Sequence, residues 1–158
     1  MRTFTWPIAL LLLGLLFQTV AFAVLNTVVP LWMEQADAAV WETGMVGSFF
    51  FLGNLAGTLM AGWLIRRTGF NGSYRCACVL CAVSTLLLMA VSGVAAWSGL
   101  RFLTGASCAL VWVVVESALL RAGTLKTRGV LLASYMVVYY LGTCLLYTSP
   151  SPRDAHES

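Results

Sequence analysis

The chain has 158 residues, of which 60% are hydrophobic and 9% are charged. Soluble domains carry about 25% charged residues, so this composition excludes most soluble classes and indicates a membrane protein. The net charge of +3 is small, and we interpret it as an orientation signal rather than as a nucleic-acid-binding surface.

Long runs without charge predict where the chain crosses the bilayer. A spanning helix needs about 20 predominantly apolar residues. No Asp, Glu, Lys or Arg occurs in 3–33, 43–65, 76–100 or 129–152, and a fifth stretch, 100–120, is interrupted only by Arg101 and Glu116. The runs do not alternate with polar residues as barrel strands do. We therefore predict an all-α polytopic transmembrane bundle of about five helices, at 8–31, 44–65, 75–95, 99–120 and 129–147.

The first helix has an alternative interpretation as a secretory signal peptide. Arg2, the apolar stretch IALLLLGLLF and the small-x-small sequence AFA at 21–23 are typical of such a leader. The apolar run continues through VLNTVVPLW, however, which makes it longer than the apolar region of a leader. We expect the helix to be retained.

The charged loops predict the orientation of the chain. The loop 33–42 carries three acidic residues but no Lys or Arg. The next loop carries Arg66, Arg67 and Arg75, and the loop 121–128 carries Arg121, Lys126 and Arg128. Lys and Arg favour cytoplasmic loops. We expect the N-terminus and both basic loops to be cytoplasmic and 33–42 to lie outside.

The first basic loop contains glycines and arginines at a spacing that resembles a known loop signature. In GWLIRRTG, Gly62, Arg66, Arg67 and Gly69 resemble the loop signature between the second and third helices of the major facilitator superfamily. That resemblance implies close helix packing at the glycine and a charged cytoplasmic latch. Arg66 stands where the family has an acid, and Phe70 and Asn71 replace a basic pair, so a plain positive-inside turn remains an alternative.

The fourth predicted helix, RFLTGASCALVWVVVESALL, also resembles a pattern of this family, an Arg followed by a small-residue stripe. Arg101, Gly105 and Ala109 share one helical face. An arginine in a membrane helix marks an aqueous or ligand pathway, although Arg101 near the outer interface would also be compatible with snorkelling. Glu116 lies about 22 Å of rise further on the same side, and either a cavity role or a salt bridge to the basic loops fits it.

The second predicted helix carries a stripe of small residues. Gly53, Gly57 and Ala61 recur every four residues. Such a stripe lets helix backbones approach each other. We predict a helix-packing seam here, which any polytopic bundle or dimer would also accommodate.

The resemblance extends over residues 1 to about 143. The stretches VLNTVVPLW, WVVVESALL and RGVLLASYMVVYYLGT resemble the bacterial YcaD-like group of the superfamily. This implies an incomplete N-terminal half whose missing partner is the C-terminal half, with substrate bound between the halves. The candidate substrate or proton-pathway residues on the lining helices are Asn26, Asn54, Arg101, Glu116, Tyr135 and Tyr139. Asn54 is also compatible with an interhelical hydrogen bond, and the tyrosines with an interfacial belt.

The function implied by the resemblance is secondary active transport of a small solute by alternating access. Proton coupling stays open. The alternative is a small structural or assembly-related membrane protein without transport. No catalytic apparatus, cofactor or metal site is expected, because the cysteines of CACVLC do not converge on a helix and no histidine is near.

The last residues differ in composition from the rest. Segment 148–158 is polar and rich in Ser and Pro, which is typical of a disordered segment or of non-native sequence at the end of a gene fragment. We expect it to contribute nothing to function.

Overall fold

Four helices make up the computed structural model, which describes residues 6–123 and 126–147. They are α1 (Trp6–Gln35), α2 (Val40–Ala90), α3 (Val94–Ala122) and α4 (Arg128–Tyr147). The described residues contain no strand, so the predicted all-α class is confirmed. Stretches of α1, α2 and α3 are long and apolar enough to cross a membrane. The predicted tail, 148–158, lies outside the described residues.

The long helix α2 is a helical hairpin. Gly53 packs against Phe102 of α3, while Ser84 receives a hydrogen bond from Thr104, only two residues further along α3. In a straight helix residues 53 and 84 would be about 46 Å apart. The chain must therefore reverse between them, and the one non-helical residue inside α2 is Gly69.

The chain reverses at Gly69, the one non-helical residue inside α2, without a longer connecting loop. Its φ of 71° and ψ of 176° lie in a region that side chains rarely tolerate. The Ser73 hydroxyl donates to the Gly69 carbonyl at 2.7 Å and lies 2.9 Å from the Thr68 hydroxyl. These bonds satisfy polar groups at the break, and helix continues through residues for which the sequence predicts a loop.

The second and third predicted helices are thus the two arms of α2. The sequence predicts the third helix at 75–95, but α2 ends at Ala90. Val91 is extended, with φ −117° and ψ 140°, and Gly93 has a φ of 114°. This short linker starts α3 five residues before the predicted position.

The chain divides into two compact units, one of which comprises α1 up to Trp32 and the chain from Leu119 onward. In this unit the buried residues of α1 recur every three, four or seven positions, as in a helix-packing stripe: Ile8, Leu12, Leu15, Thr19, Phe22 and Val29. Gly142 of α4 faces the stripe, since a Cβ added there would lie 3.1 Å from Thr19. Helices α1 and α4 therefore pack closely at this point.

The second unit comprises Met33–Ala118. It begins with the turn before α2, in which the Ala38 N–H donates to the Met33 carbonyl. The Glu42 carboxylate accepts a hydrogen bond from the Ala39 N–H at 2.8 Å and so caps the start of α2. Most of α3 belongs to this unit, and α3 contacts both arms of α2.

Candidate functional site

Arg101 is the one charged residue that is buried among the described residues, with 4% of its surface exposed. It follows the start of α3 at Val94 by seven residues, which is about 10 Å of helix rise. Its guanidinium carbon lies 4.5 Å from the ring centroid of Phe50 on α2. The side chain is therefore enclosed by protein and stacked on an aromatic face.

Stacking on Phe50 offsets part of the cost of placing this charge in an apolar layer. An arginine at the centre of a membrane helix costs about 2.5 to 3.5 kcal/mol on insertion scales. A desolvated cation over an aromatic ring recovers up to about 2 kcal/mol.

Three glycines bring Phe50 and Arg101 together. A Cβ at Gly53 would overlap the backbone of Phe102, and one at Gly57 would overlap the backbone of Ala106. From the other side, a Cβ at Gly105 would meet the Phe50 carbonyl. The backbones of α2 and α3 are thus in direct contact, as small residues permit in membrane helices. Further along each stripe, Ala61 and Ala109 are also buried.

A polar contact holds the opposite side of α3. Thr104, which is 1% exposed, donates a hydrogen bond of 3.1 Å to the Ser84 hydroxyl on the second arm of α2. The Ser107 hydroxyl donates to the Thr104 carbonyl at 2.9 Å. Hydrogen bonds between membrane helices contribute on the order of 1 kcal/mol each. The sequence analysis missed this pair because an isolated Ser or Thr carries no periodic signal.

Asn54 is a candidate on the α2 side of this seam. It is half-buried, and its backbone nitrogen would lie 3.0 Å from a Cβ at Gly105, one turn after Arg101. The backbone carbonyl of Asn54 accepts a hydrogen bond from the Thr58 hydroxyl at 2.9 Å.

Glu116, on the same helix as Arg101, is exposed and is separated from it by about 22 Å of rise. The two charges therefore do not form a pair.

The other candidates lie in the unit that contains α1 and α4. Asn26 is exposed, Tyr135 is buried and Tyr139 is half-buried. The ring of Tyr139 makes an edge contact with Tyr140, at 5.4 Å between centroids. The structure therefore brings Arg101 and Asn54 together in one unit and places these three residues in the other.

Gln18 is a polar residue of α1 that the sequence analysis did not single out. Its side chain is half-buried, and its amide nitrogen is buried without a hydrogen-bond partner in the described part of the chain. A buried donor of this kind costs about 1 to 3 kcal/mol if nothing satisfies it. A substrate, a water molecule or another segment of the protein would remove that cost.

The basic loop motif is mostly helical. Arg66 and Arg67 are exposed, and the guanidinium carbon of Arg67 lies 4.8 Å from the centroid of Trp63, one turn earlier. A Cβ at Gly62 would meet only the end of the Arg66 side chain, at 3.6 Å. Gly69, by contrast, is required by its φ of 71°. In this motif the structural demand for glycine is therefore at the second position.

The cysteines do not form a recognisable centre in the part of the chain that the structure describes. None of the five forms a disulfide bond within the described residues, and no group of three or more potential ligands for a metal ion occurs there either. Cys108 is buried in α3, whereas Cys76 is exposed on α2.

Comparison with known proteins identifies relatives for most of the chain. Residues 11–148 match the family described as Major Facilitator Superfamily. An "Uncharacterized MFS-type transporter" of Yersinia pestis is 54% identical over 145 residues, which cover 92% of this chain and 38% of the relative. The "Uncharacterized MFS-type transporter YcaD" of Salmonella paratyphi B is 53% identical over the same shares of both chains.

These relatives are much longer than the chain. A third relative, from Yersinia enterocolitica, is 53% identical over 143 residues, covering 90% of this chain and 37% of its own length. The chain thus spans about two fifths of the curated relatives it matches. No solved structure gives a significant match. The relatives' names indicate membrane transport rather than catalysis, in agreement with the apolar helices.

Proposed function

The chain belongs to the major facilitator superfamily, and from this membership we propose that it is the N-terminal part of a secondary active transporter of a small solute. Membrane transport is the general activity of the family, and the long apolar helices fit a multi-pass membrane protein. Members with inverted or parallel repeats bind substrate near the bilayer midplane between two helix bundles. This chain supplies part of one bundle.

The observation that carries this proposal is the burial of Arg101 over Phe50. A purely structural bundle gains nothing from a charge in this position, since an apolar side chain would avoid the insertion cost. A transporter gains a fixed cation that recognises an anionic or polar group of its solute. Arg101 is therefore assigned to substrate or coupling-ion recognition.

Asn54 extends this role to an amide group, and Gln18 is a separate candidate in the unit that contains α1. Asn54 lies on the same seam as Arg101, and the Gln18 amide offers an unused donor. Asn26, Tyr135 and Tyr139 are further candidates for lining the pathway. Glu116 is exposed on α3. We assign it either to a water-filled cavity or to the surface that the missing part of the transporter covers. In either place its carboxylate can carry a proton.

Alternating access also needs a bundle that moves as one piece. Helix α3 is held on one side by the glycine seam and on the other by the bond between Ser84 and Thr104. The two arms of α2 are joined by one non-helical residue, Gly69. These contacts support the rigid-body movement of Met33–Ala118 against the other half of the transporter.

The proposed location is the bacterial inner membrane, with the N-terminus in the cytoplasm. The basis is the difference between the acidic turn before α2 and the three arginines around Gly69, because Lys and Arg favour cytoplasmic loops. Coupling to protons is proposed on the strength of Glu116 alone.

The test is a chimera in which residues 1–143 replace the matching part of YcaD from Salmonella paratyphi B. Vesicles containing the chimera are exposed to a mixture of cell metabolites, and the solutes that enter are identified by mass spectrometry. Arg101→Ala should abolish uptake without reducing the amount of inserted protein, because removing the insertion cost of a charge, about 2.5 to 3.5 kcal/mol, offsets the loss of its stacking on Phe50, up to about 2 kcal/mol.

Two further variants sharpen this test. Arg101→Lys should restore uptake only in part, since the planar guanidinium is lost while the charge is kept. Lys126→Ala is the matched control, because it removes an exposed cation and should leave uptake unchanged. If the Arg101→Ala chimera transports like its parent, Arg101 has no part in recognition and the assignment is wrong.

A further inference from the structure

Two helices of the second unit form an antiparallel pair with a fixed register. They are the second arm of α2 and α3, and only the short linker after Ala90 joins them. The Trp97 indole nitrogen donates a hydrogen bond of 2.6 Å to the Val91 carbonyl beside this linker. Further along the pair, Thr104 donates to the Ser84 hydroxyl at 3.1 Å. These two bonds show which residues lie at the same level on the two helices.

The next turn of this pair brings together two cysteines from different helices. Cys81 lies three residues before Ser84, and Cys108 lies four residues after Thr104, which is about 4.5 and 6 Å of rise in the same direction. The Cys81 and Cys108 thiols also interact electrostatically, so they are neighbours in space. Cys108 is buried and Cys81 is half-buried. The pair therefore offers two thiols inside an apolar layer.

A buried positive charge lies next to this pair of thiols. Arg101 precedes Cys108 by two turns on α3 and so shares its face. The Arg101 guanidinium and the Cys108 thiol interact electrostatically, and Arg101 is 4% exposed. A nearby cation stabilises negative charge that forms on the thiols when a metal ion replaces their protons. Such charge would otherwise be costly in an apolar layer.

We propose that Cys81 and Cys108 bind one copper(I) ion between the second arm of α2 and α3. Thiolate ligands select this soft cation, which is stable with two sulfur ligands, whereas zinc in structural sites takes four. Binding releases one proton from each thiol to water, and copper keeps its oxidation state. One copper(I) and two thiolates carry one negative charge, which the charge of Arg101 balances. The site does not depend on the proposed transport of a solute and goes beyond it.

The probe is copper(I), offered as its complex with the chelator bicinchoninate to vesicles that contain the full 158-residue chain. Oxygen is excluded and ascorbate keeps the copper reduced. The chain should take one copper ion from the chelator, which is followed by the loss of the colour of the complex. X-ray absorption at the copper edge should show two sulfur ligands. Zinc should not compete, because it lacks its further ligands here.

Serine variants identify the ligands. Cys81→Ser and Cys108→Ser should each abolish the transfer of copper. Cys78→Ser is the matched control, because Cys78 is also half-buried and lies one turn before Cys81 on the same helix, and it should bind like the parent. Inserted protein is measured for every variant. If Cys108→Ser inserts poorly, Cys81→Ser still decides, since its side chain lies less deeply in the packing.

Variants of Arg101 test the balance of charge. Arg101→Ala should weaken copper binding about tenfold, as the loss of a group that supports metal ligands does. Arg101→Lys should restore most of the affinity, because it keeps the charge. A purely structural role of Arg101 would instead leave copper affinity unchanged in any variant that inserts normally.

Several results would overturn the proposal. Copper binding that survives Cys81→Ser, or that is lost equally in Cys78→Ser, would show that the ligands are other cysteines. Equal competition by zinc would show that the site is not a two-sulfur site. Unchanged affinity in Arg101→Ala would contradict the balance of charge from which the ion is inferred. If the chimera transports a solute while the chain binds no copper, only the copper proposal fails.

Discussion

The contact at Gly57 allows a sharp test of the packing between α2 and α3. We compare Gly57→Ala with Gly47→Ala, two substitutions that each add one methyl group to the same helix. At Gly57 the new Cβ would lie 2.8 Å from the Ala106 Cα and would overlap the Ala106 carbonyl, whereas at Gly47 nothing lies within 4 Å. The backbone of α3 cannot move aside as a flexible side chain could.

The two substitutions are expected to change the free energy of unfolding in opposite directions. Replacing Gly by Ala in a helix stabilises it by up to about 1 kcal/mol, which is the whole effect expected at Gly47. Overpacking at a tight contact costs about 1 to 3 kcal/mol, and a gap of about 0.5 to 1 Å between separated helices forfeits a quarter to a half of their dispersion energy. Because the gain in helix propensity is common to both variants, they should differ by the overpacking cost, about 1 to 3 kcal/mol in free energy of unfolding.

Thermal unfolding with a thiol-reactive fluorophore measures this difference. The other four cysteines are replaced by alanine, because Cys76 and Cys144 are exposed and would react in the folded state. Cys108 is then the reporter, since it is 1% exposed and reacts only when α3 is released from its neighbours. Gly57→Ala should lower the unfolding temperature, by about 5 °C for a destabilisation near 2 kcal/mol. Gly47→Ala should leave it equal or higher. If both variants unfold at the same temperature, the backbones of α2 and α3 are not in contact at Gly57.

Three other predictions follow from particular contacts. Phe50→Leu should lower the unfolding temperature in the same assay, because up to about 2 kcal/mol of cation–π attraction is lost. Phe51→Leu should have little effect, since the Phe51 ring is 72% exposed. Equal effects of the two variants would contradict the stacking of Arg101 on Phe50. Gly69→Ala should destabilise the chain by about 1 to 3 kcal/mol, because φ 71° with ψ 176° is a backbone conformation that essentially only glycine adopts. An unchanged unfolding temperature would show that the turn does not need glycine. In a cysteine-free background an impermeant thiol reagent added outside should label Ala38→Cys but not Lys126→Cys; the reverse pattern would invert the orientation.

The sequence predicts the apolar helices well because bilayer thickness imposes a minimum length on each run. It does less well at the hairpin of α2. The arginines and glycines of 62–75 predict a loop, yet one residue, Gly69, is enough to reverse the chain when Thr68 and Ser73 satisfy the freed polar groups. Such compensation depends on side-chain geometry that composition does not contain.

The stacking of Arg101 on Phe50 shows a second limit. Both residues are visible in the sequence, but their contact depends on the register between two helices, which local periodicity does not specify. A signal was present, because Phe50 precedes Gly53 and Gly57 by three and seven residues and so shares their face. The roles of Asn26, Tyr135, Tyr139 and Glu116 stay predictions, since their surroundings depend on the remaining three fifths of the relatives' length.

Transport against a gradient tests the central claim most directly. Vesicles that contain the chimera of residues 1–143 with YcaD are loaded with a buffer that imposes a proton gradient, and no ATP is supplied. Secondary active transport predicts that a solute identified in the metabolite screen accumulates above its outside concentration and that accumulation collapses when an ionophore removes the driving gradient. If correctly inserted chimera moves no solute faster than empty vesicles under any imposed ion gradient, the account of this chain as part of a secondary transporter is contradicted.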